Sequence, residues 1–203
     1  MVVIEYAQVL RKAMRTVLDH WALSKDYQPV NVTIPIHQTI SPEQSGNVLE
    51  QRVGDSMREI KRIFVHHSAS RRSKTTLEQI AQWHAERGFS EIGYHYVIQD
   101  GGIIRPARAV EKIGAHVKDH NADSIGICVC GNFMTEEPQP EQLNSLFTLI
   151  TGLMNQYNIP AKSVHYHQEF GDTDCCGANL IPKVKEWRES YGKQKDTANK
   201  RNG

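Results

Sequence analysis

The sequence predicts an α/β fold, a β-sheet covered by helices, and three observations predict it. From residue 58 onward, short apolar runs alternate with segments of helical periodicity. The helical segments are punctuated: Thr75-x-x-Glu78 reads as a capping box with Gly88 as the stop, and Pro140 opens a second helix. An Asp100-Gly101 dipeptide between two apolar runs reads as a turn that reverses the chain.

Ile60 to His66 is the first predicted strand, followed by the helix that the Thr75 capping box opens, running to Arg87. Tyr94 to Gln99 is the second strand, and Ile103–Ile104 begins its returning partner. Ser124 to Cys130 is short, apolar and read as a buried strand. Pro140 to Tyr157 is a helix with Leu143, Leu146, Phe147, Ile150, Leu153 and Met154 on its inner face. Ser163 to His165 is a short strand, residues 166–179 a loop, and Pro182 opens a last helix through Trp187. Upstream, Val3, Ala7, Leu10, Met14, Val17, Leu18 and Trp21 fall at helical spacing, predicting an amphipathic helix over Val3 to Leu23. Val30 to Ile36 alternates like a strand, which Pro35 confines to an edge, and Ser41-Pro42 reads as a helix start. Residues 1–57 are therefore an N-terminal extension, 58–190 the main domain, and 191–203 a polar tail expected to be disordered.

With charged residues at 23%, hydrophobic residues at 39% and a net charge of +1, the composition is that of an ordinary globular chain with no global pull toward nucleic acid or anionic lipid. No apolar run approaches the roughly 20 residues a membrane-spanning helix needs. Arg11, Lys12, Arg15 and Asp19 interrupt what would be the apolar core of a signal peptide, so synthesis in a cytoplasm is expected. All four cysteines, Cys128, Cys130, Cys175 and Cys176, are in adjacent or C-x-C pairs, poor disulfide scaffolding for a chain this long.

Three segments carry metal-capable side chains at or just past predicted strand ends: His66-His67, His165-Tyr166-His167 and Cys175-Cys176. Two imidazoles and a thiolate, with a fourth position open, are the ligand set of a catalytic zinc. Alternation lets only one of His66 and His67 face a metal, whereas His165 and His167 share a face and either thiol is available. The H-E-x-x-H helix, the G-x-S-x-G elbow and the phosphate-binding G-x-x-x-x-G-K-[ST] loop are all absent.

At these residues the chain resembles a known family. Val65-His66-His67-Ser68-Ala69, Gly93-Tyr94-His95-Tyr96, Gly114-Ala115-His116, Asn121, Ser124-Ile125-Gly126-Ile127 and the stretch from His167 through Cys175 to Gly177 are similar, in order, to motifs of the zinc N-acetylmuramoyl-L-alanine amidases. That family includes peptidoglycan recognition proteins and the short lytic amidases of podophages. Trp83 to Phe89 resembles the phage members. The resemblance covers about residues 58–188 and implies a mixed central sheet flanked by helices, one Zn2+, and cleavage between the lactyl group of N-acetylmuramic acid and L-alanine. It implies His66, His167 and Cys175 as metal ligands, Tyr94 and Thr173 as catalytic groups, and His116 and Asn121 as substrate-binding residues. Glu169 is expected to orient a ligand, His95 to be structural, and Cys128 and Cys130 to pack in the core. The chain departs from the family at Cys176, where relatives usually carry proline. Cys128 stands where some recycling amidases place a glutamate, which points toward the lytic branch.

The implied partners are peptidoglycan or muropeptides, with no nucleic acid and no membrane insertion. Some phage members also bind an RNA polymerase, a partner the extension could serve. The implied life history is synthesis in a bacterial host cytoplasm and release to the wall at lysis. The competing readings are a cytosolic recycling amidase and a non-catalytic peptidoglycan-binding module, the latter disfavoured by the presence of Cys175.

Overall fold

β1 (Arg62–His67) and β4 (Ser124–Val129) form the centre of the sheet, parallel and paired from Arg62 opposite Ser124 to His67 opposite Val129. This is a computed structural model; it describes residues 58–201, with side chains described for 58–193. The expected helix at Val3 to Leu23, edge strand at Val30 to Ile36 and helix start at Ser41 lie outside the described residues. β5 (Val164–Tyr166) lies parallel on the far side of β1. β2 (Tyr96–Ile98) lies parallel to β4 and returns through Asp100–Gly102 into the antiparallel β3 (Ile104–Pro106). The order is β3-β2-β4-β1-β5, a mixed five-stranded sheet. Both central strands are buried along almost their whole length, as expected for parallel strands covered on both faces.

Three helices cover the sheet: α1 (Leu77–Glu86), α2 (Pro140–Tyr157) and α3 (Ile181–Arg201). α2 presents Leu143, Leu146, Ile150, Leu153 and Met154 to one face, where Leu180 and Val184 at the start of α3 join Ile63, Val65, Ile98, Ile125, Ile127 and Val129. Side chains alternate across a strand, so Phe64 and His66 take the opposite face. There Ile80 of α1 packs with Val97, Cys128 and Cys130. The two thiols on β4 and just beyond it are core residues, as their spacing predicts.

Most boundaries fall within one or two residues of the sequence expectation, and four differences have a local physical reason. The N-cap of α1 is Thr76, whose hydroxyl accepts from Gln79 N–H, rather than Thr75. Thr75 is buried, and its hydroxyl donates to Arg71 O. Two adjacent threonines offer two cap registers, and the buried one serves the loop. β2 starts at Tyr96, because Tyr94 and His95 accept instead from the chain at Arg108 and Ala107. β5 is displaced by one residue at its start, since Ser163 closes a helical turn with Ala161. α3 continues to Arg201, well past Trp187 and through most of the stretch read as a disordered tail. Lys, Gln, Glu and Arg are good helix formers, and a polar composition reports solvation rather than the absence of a helix. Trp187 stacks between Phe147 and Tyr191 and ties the middle of α3 to α2.

Candidate metal centre

β1 delivers His66 to the sheet face opposite α2. β5 runs directly into the turn His167–Phe170, and the chain comes back so that Gln168 N–H donates to Cys175 O at 2.7 Å. The ligand-capable atoms of His66, His167 and Cys175 consequently lie within 4.8 Å of one another. Cys175 Sγ is 3.6 Å from His66 Nδ1, and the rings of His66 and His167 are 4.8 Å apart between centroids. A Zn–S bond of about 2.3 Å and a Zn–N bond of about 2.0–2.1 Å meeting at a tetrahedral angle place S and N about 3.6 Å apart. The spacing of this pair therefore fits a zinc ion, and the donor set suits its borderline-soft character.

The electrostatics agree. Burial holds His66 well below the ordinary imidazole range, reinforced by His116 and His167, and burial also lowers His167. Both rings are neutral at pH 7 and keep a lone pair for a cation. Burial pushes the Cys175 thiol up to about 12, partly offset by His67 N–H donating to its sulfur at 3.4 Å. A bound divalent cation would reverse that shift, so metal uptake would release the thiol proton.

Position separates the candidates that spacing left open. His67 faces the opposite side of the sheet, where its Nδ1 accepts from Phe133 N–H at 3.2 Å. Cys176 is fully buried in the core with Leu180 and Val184 and falls outside the group formed by His66, His167 and Cys175. His165 is taken up by Glu169, its Nδ1 lying 2.8 Å from Oε2, and its ring packs on Phe64 and Phe170. Glu169, expected to orient a ligand, instead joins His165 to Arg188, which bonds both of its carboxylate oxygens.

Tyr94 places its ring 5.1 Å from that of His66. Burial raises its phenol well above the ordinary value, followed by the nearby Cys128 and Cys175, so it is a neutral donor. Thr173 Oγ1 accepts from Cys175 N–H at 3.2 Å, which leaves its own hydroxyl proton available. Asn121 Oδ1 accepts from the N–H groups of His116 and Val117 at 2.8 and 3.0 Å, so only its amide N–H groups remain to donate. His116 is buried against His66. The sequence reading missed His84 on α1. Its Nδ1 accepts from Gly93 N–H at 2.9 Å and its ring lies 5.3 Å from that of Tyr94, so it pins the turn that carries the phenol. Gly93 permits this turn: a Cβ there would fall 2.2 Å from Ala115 O.

The sheet, the helices and the His-His-Cys group define a class, and comparison with known proteins identifies it. A profile of the N-acetylmuramoyl-L-alanine amidase family matches residues 56–178, more than half of the chain. The endolysin of Escherichia phage T7 is 32% identical over 133 residues, which span 63% of this chain and 84% of that protein. Among solved structures, N-acetylmuramoyl-L-alanine amidase LysC from Clostridium intestinale superposes with a TM-score of 0.59 at 34% identity, covering 63% of this chain and 84% of that one. Peptidoglycan-recognition protein LB of Drosophila gives 0.59 at 29% identity over 63% of this chain and 81% of its own. A variant of that recognition protein has been solved in complex with tracheal cytotoxin. The chain belongs to the N-acetylmuramoyl-L-alanine amidase family, whose relatives include both phage endolysins and peptidoglycan recognition proteins. Among the described residues no helix is long and apolar enough to cross a membrane.

Proposed function

We propose that this chain hydrolyses the amide bond between the lactyl group of N-acetylmuramic acid and L-alanine in bacterial peptidoglycan, as a lytic amidase of phage or prophage origin, using one zinc ion held by His66, His167 and Cys175. The observation that carries the reading is the convergence of those three ligand atoms within 4.8 Å. The endolysin relatives support the lytic branch, and the cytotoxin complex of a recognition protein supports a muropeptide ligand.

When bound there, zinc supplies Lewis-acid polarisation of the scissile carbonyl and activates a water for attack near neutral pH. The phenol of Tyr94, neutral in its buried setting, donates to the oxyanion that forms as the carbonyl is attacked. Thr173 adds a second donor. Its oxygen already accepts from Cys175 N–H, and the hydroxyl hydrogen is free to donate to a new acceptor. It brings no positive charge, and the stabilisation is that of aligned dipoles. The glycopeptide lies against Asn121 and the edge of His116.

Digestion of purified sacculi tests the reading. The expected products are new L-alanine amino termini without new reducing sugar ends, lost on chelation, restored by zinc, and absent for His167→Ala and Cys175→Ser. New reducing ends or chelator-resistant cleavage would overturn it. Sacculus binding without cleavage would make the chain a recognition module, and cleavage confined to small soluble fragments a recycling enzyme.

A further inference from the structure

We infer that His116 is a positioning residue for the metal ligand His66: it accepts a hydrogen bond from Nε2 of that ring and so fixes which nitrogen is offered to the metal. The inference rests on the metal site proposed above. His66 has two ring nitrogens in different surroundings. Nδ1 faces Cys175 Sγ at 3.6 Å, and Cys175 belongs with His66 and His167 to the group whose ligand-capable atoms lie within 4.8 Å of one another. Nε2 faces His116 Nδ1 at 3.1 Å. A ligand nitrogen needs its lone pair, so the proton belongs on Nε2, and a buried N–H needs an acceptor. His66 is 1% exposed, and His116 Nδ1 is the acceptor at hydrogen-bond distance.

The surroundings are built to seat the His116 ring in that orientation. Nε2 of His116 lies 3.4 Å from Ser124 Oγ, which donates onward to His120 O at 2.6 Å. Asn121 Oδ1 fixes the backbone of residues 116 and 117. Gly114 and Gly126 leave room for the ring: a Cβ on either would fall 2.6 Å from His116 Cδ2. The ring is only 9% exposed, and a residue serving substrate contact alone would need none of this support. Metal-ligating histidines usually give their second N–H to a carboxylate, a backbone carbonyl or water. Here a second imidazole takes that place.

Zinc affinity, measured by competition with a chromophoric chelator and no substrate present, tests the role. His116→Ala is expected to hold zinc about 10–100-fold more weakly than wild type, the range typical of lost outer-shell partners. His116→Asn is expected to recover most of that loss, because its Oδ1 takes the position of Nδ1. Wild-type affinity in His116→Ala alongside impaired cleavage would overturn the inference and leave only substrate contact. Equal weakening in both variants would also overturn it, as loss of packing. Long-range 1H–15N spectra of the zinc-loaded wild type test the same point without a variant. The expected pattern is a proton on His66 Nε2, metal at Nδ1 and an unprotonated His116 Nδ1; metal at His66 Nε2 would overturn the inference. Absence of zinc binding by the wild type would overturn the proposed function itself, a result distinct from equal binding by wild type and His116→Ala.

Discussion

Tyr94 and the adjacent thiols separate the two jobs proposed for the site, holding metal and stabilising charge. Tyr94→Phe removes one donor while leaving the ring packed on His66 and His84. It is expected to lower kcat about 10²–10³-fold, the range for losing one oxyanion donor, with zinc affinity unchanged in chelator competition. Cys175→Ser is expected to lose zinc. Cys176→Ser is expected to keep it but to destabilise the fold by about 1–3 kcal/mol, because a hydroxyl replaces a thiol in a fully buried apolar position; zinc content and urea unfolding measure the two effects separately. These residues also show how far one sequence can be read. Alternation along a strand leaves only one of His66 and His67 for a metal, and the family resemblance supplied which one. The resemblance also supplied His167 over His165 and Cys175 over Cys176, which depend on a turn and a loop whose path no periodicity records. His84 was missed because a single histidine on a helix face carries no pattern that distinguishes an acceptor for Gly93 N–H from a solvated side chain.

At the level of elements, α2 was legible at both ends because Pro140 marks the start and its apolar stripe persists to Tyr157. Asn158, in the left-handed conformation at φ 54°, closes it. β2 and β5 were displaced because three-residue strands hold too few alternations to set their own limits, and neighbouring strands decide where pairing begins. The threonine pair before α1 is a local case with a direct check. Thr76→Ala removes the cap that accepts from Gln79 N–H and is expected to cost about 1 kcal/mol in thermal or urea unfolding. Gly126→Ala in β4 is a sharper perturbation, since its Cβ would meet the His116 ring at 2.6 Å. Zinc affinity is expected to fall with it.

For the molecule as a whole, the alternation of strands and helices made the α/β class legible, and Asp100-Gly101 marked the β2–β3 return, but the rest of the strand order β3-β2-β4-β1-β5 joins segments far apart in sequence, and no local pattern encodes it. The same long-range packing buries histidines, and the fold is expected to be acid-sensitive as a result. Burial holds His95 down from 6.5 to about 4, with Lys112 O opposing and Arg58 reinforcing the shift. Its Nδ1 accepts from Gly126 N–H at 2.9 Å, which requires the neutral ring. Because the folded state lowers this pKa, the contribution is complete above the unfolded value of 6.5 and is lost as pH falls toward about 4. The full effect of this group is about 3 kcal/mol. His95→Asn, whose Oδ1 keeps an acceptor for Gly126, is expected to flatten that part of the stability–pH curve in urea titrations. An unchanged slope would show that His95 does not control it.

The central claim is that one metal is held by two imidazoles and one thiolate, and zinc K-edge X-ray absorption on the purified protein tests it most directly. The account predicts one zinc per chain with a single sulfur scatterer at about 2.3 Å and nitrogen scatterers at about 2.0–2.1 Å, the sulfur vanishing in Cys175→Ser. Two or more sulfur scatterers, a sulfur signal that survives in Cys175→Ser, or a zinc shell of oxygen and nitrogen alone in the wild type would contradict it.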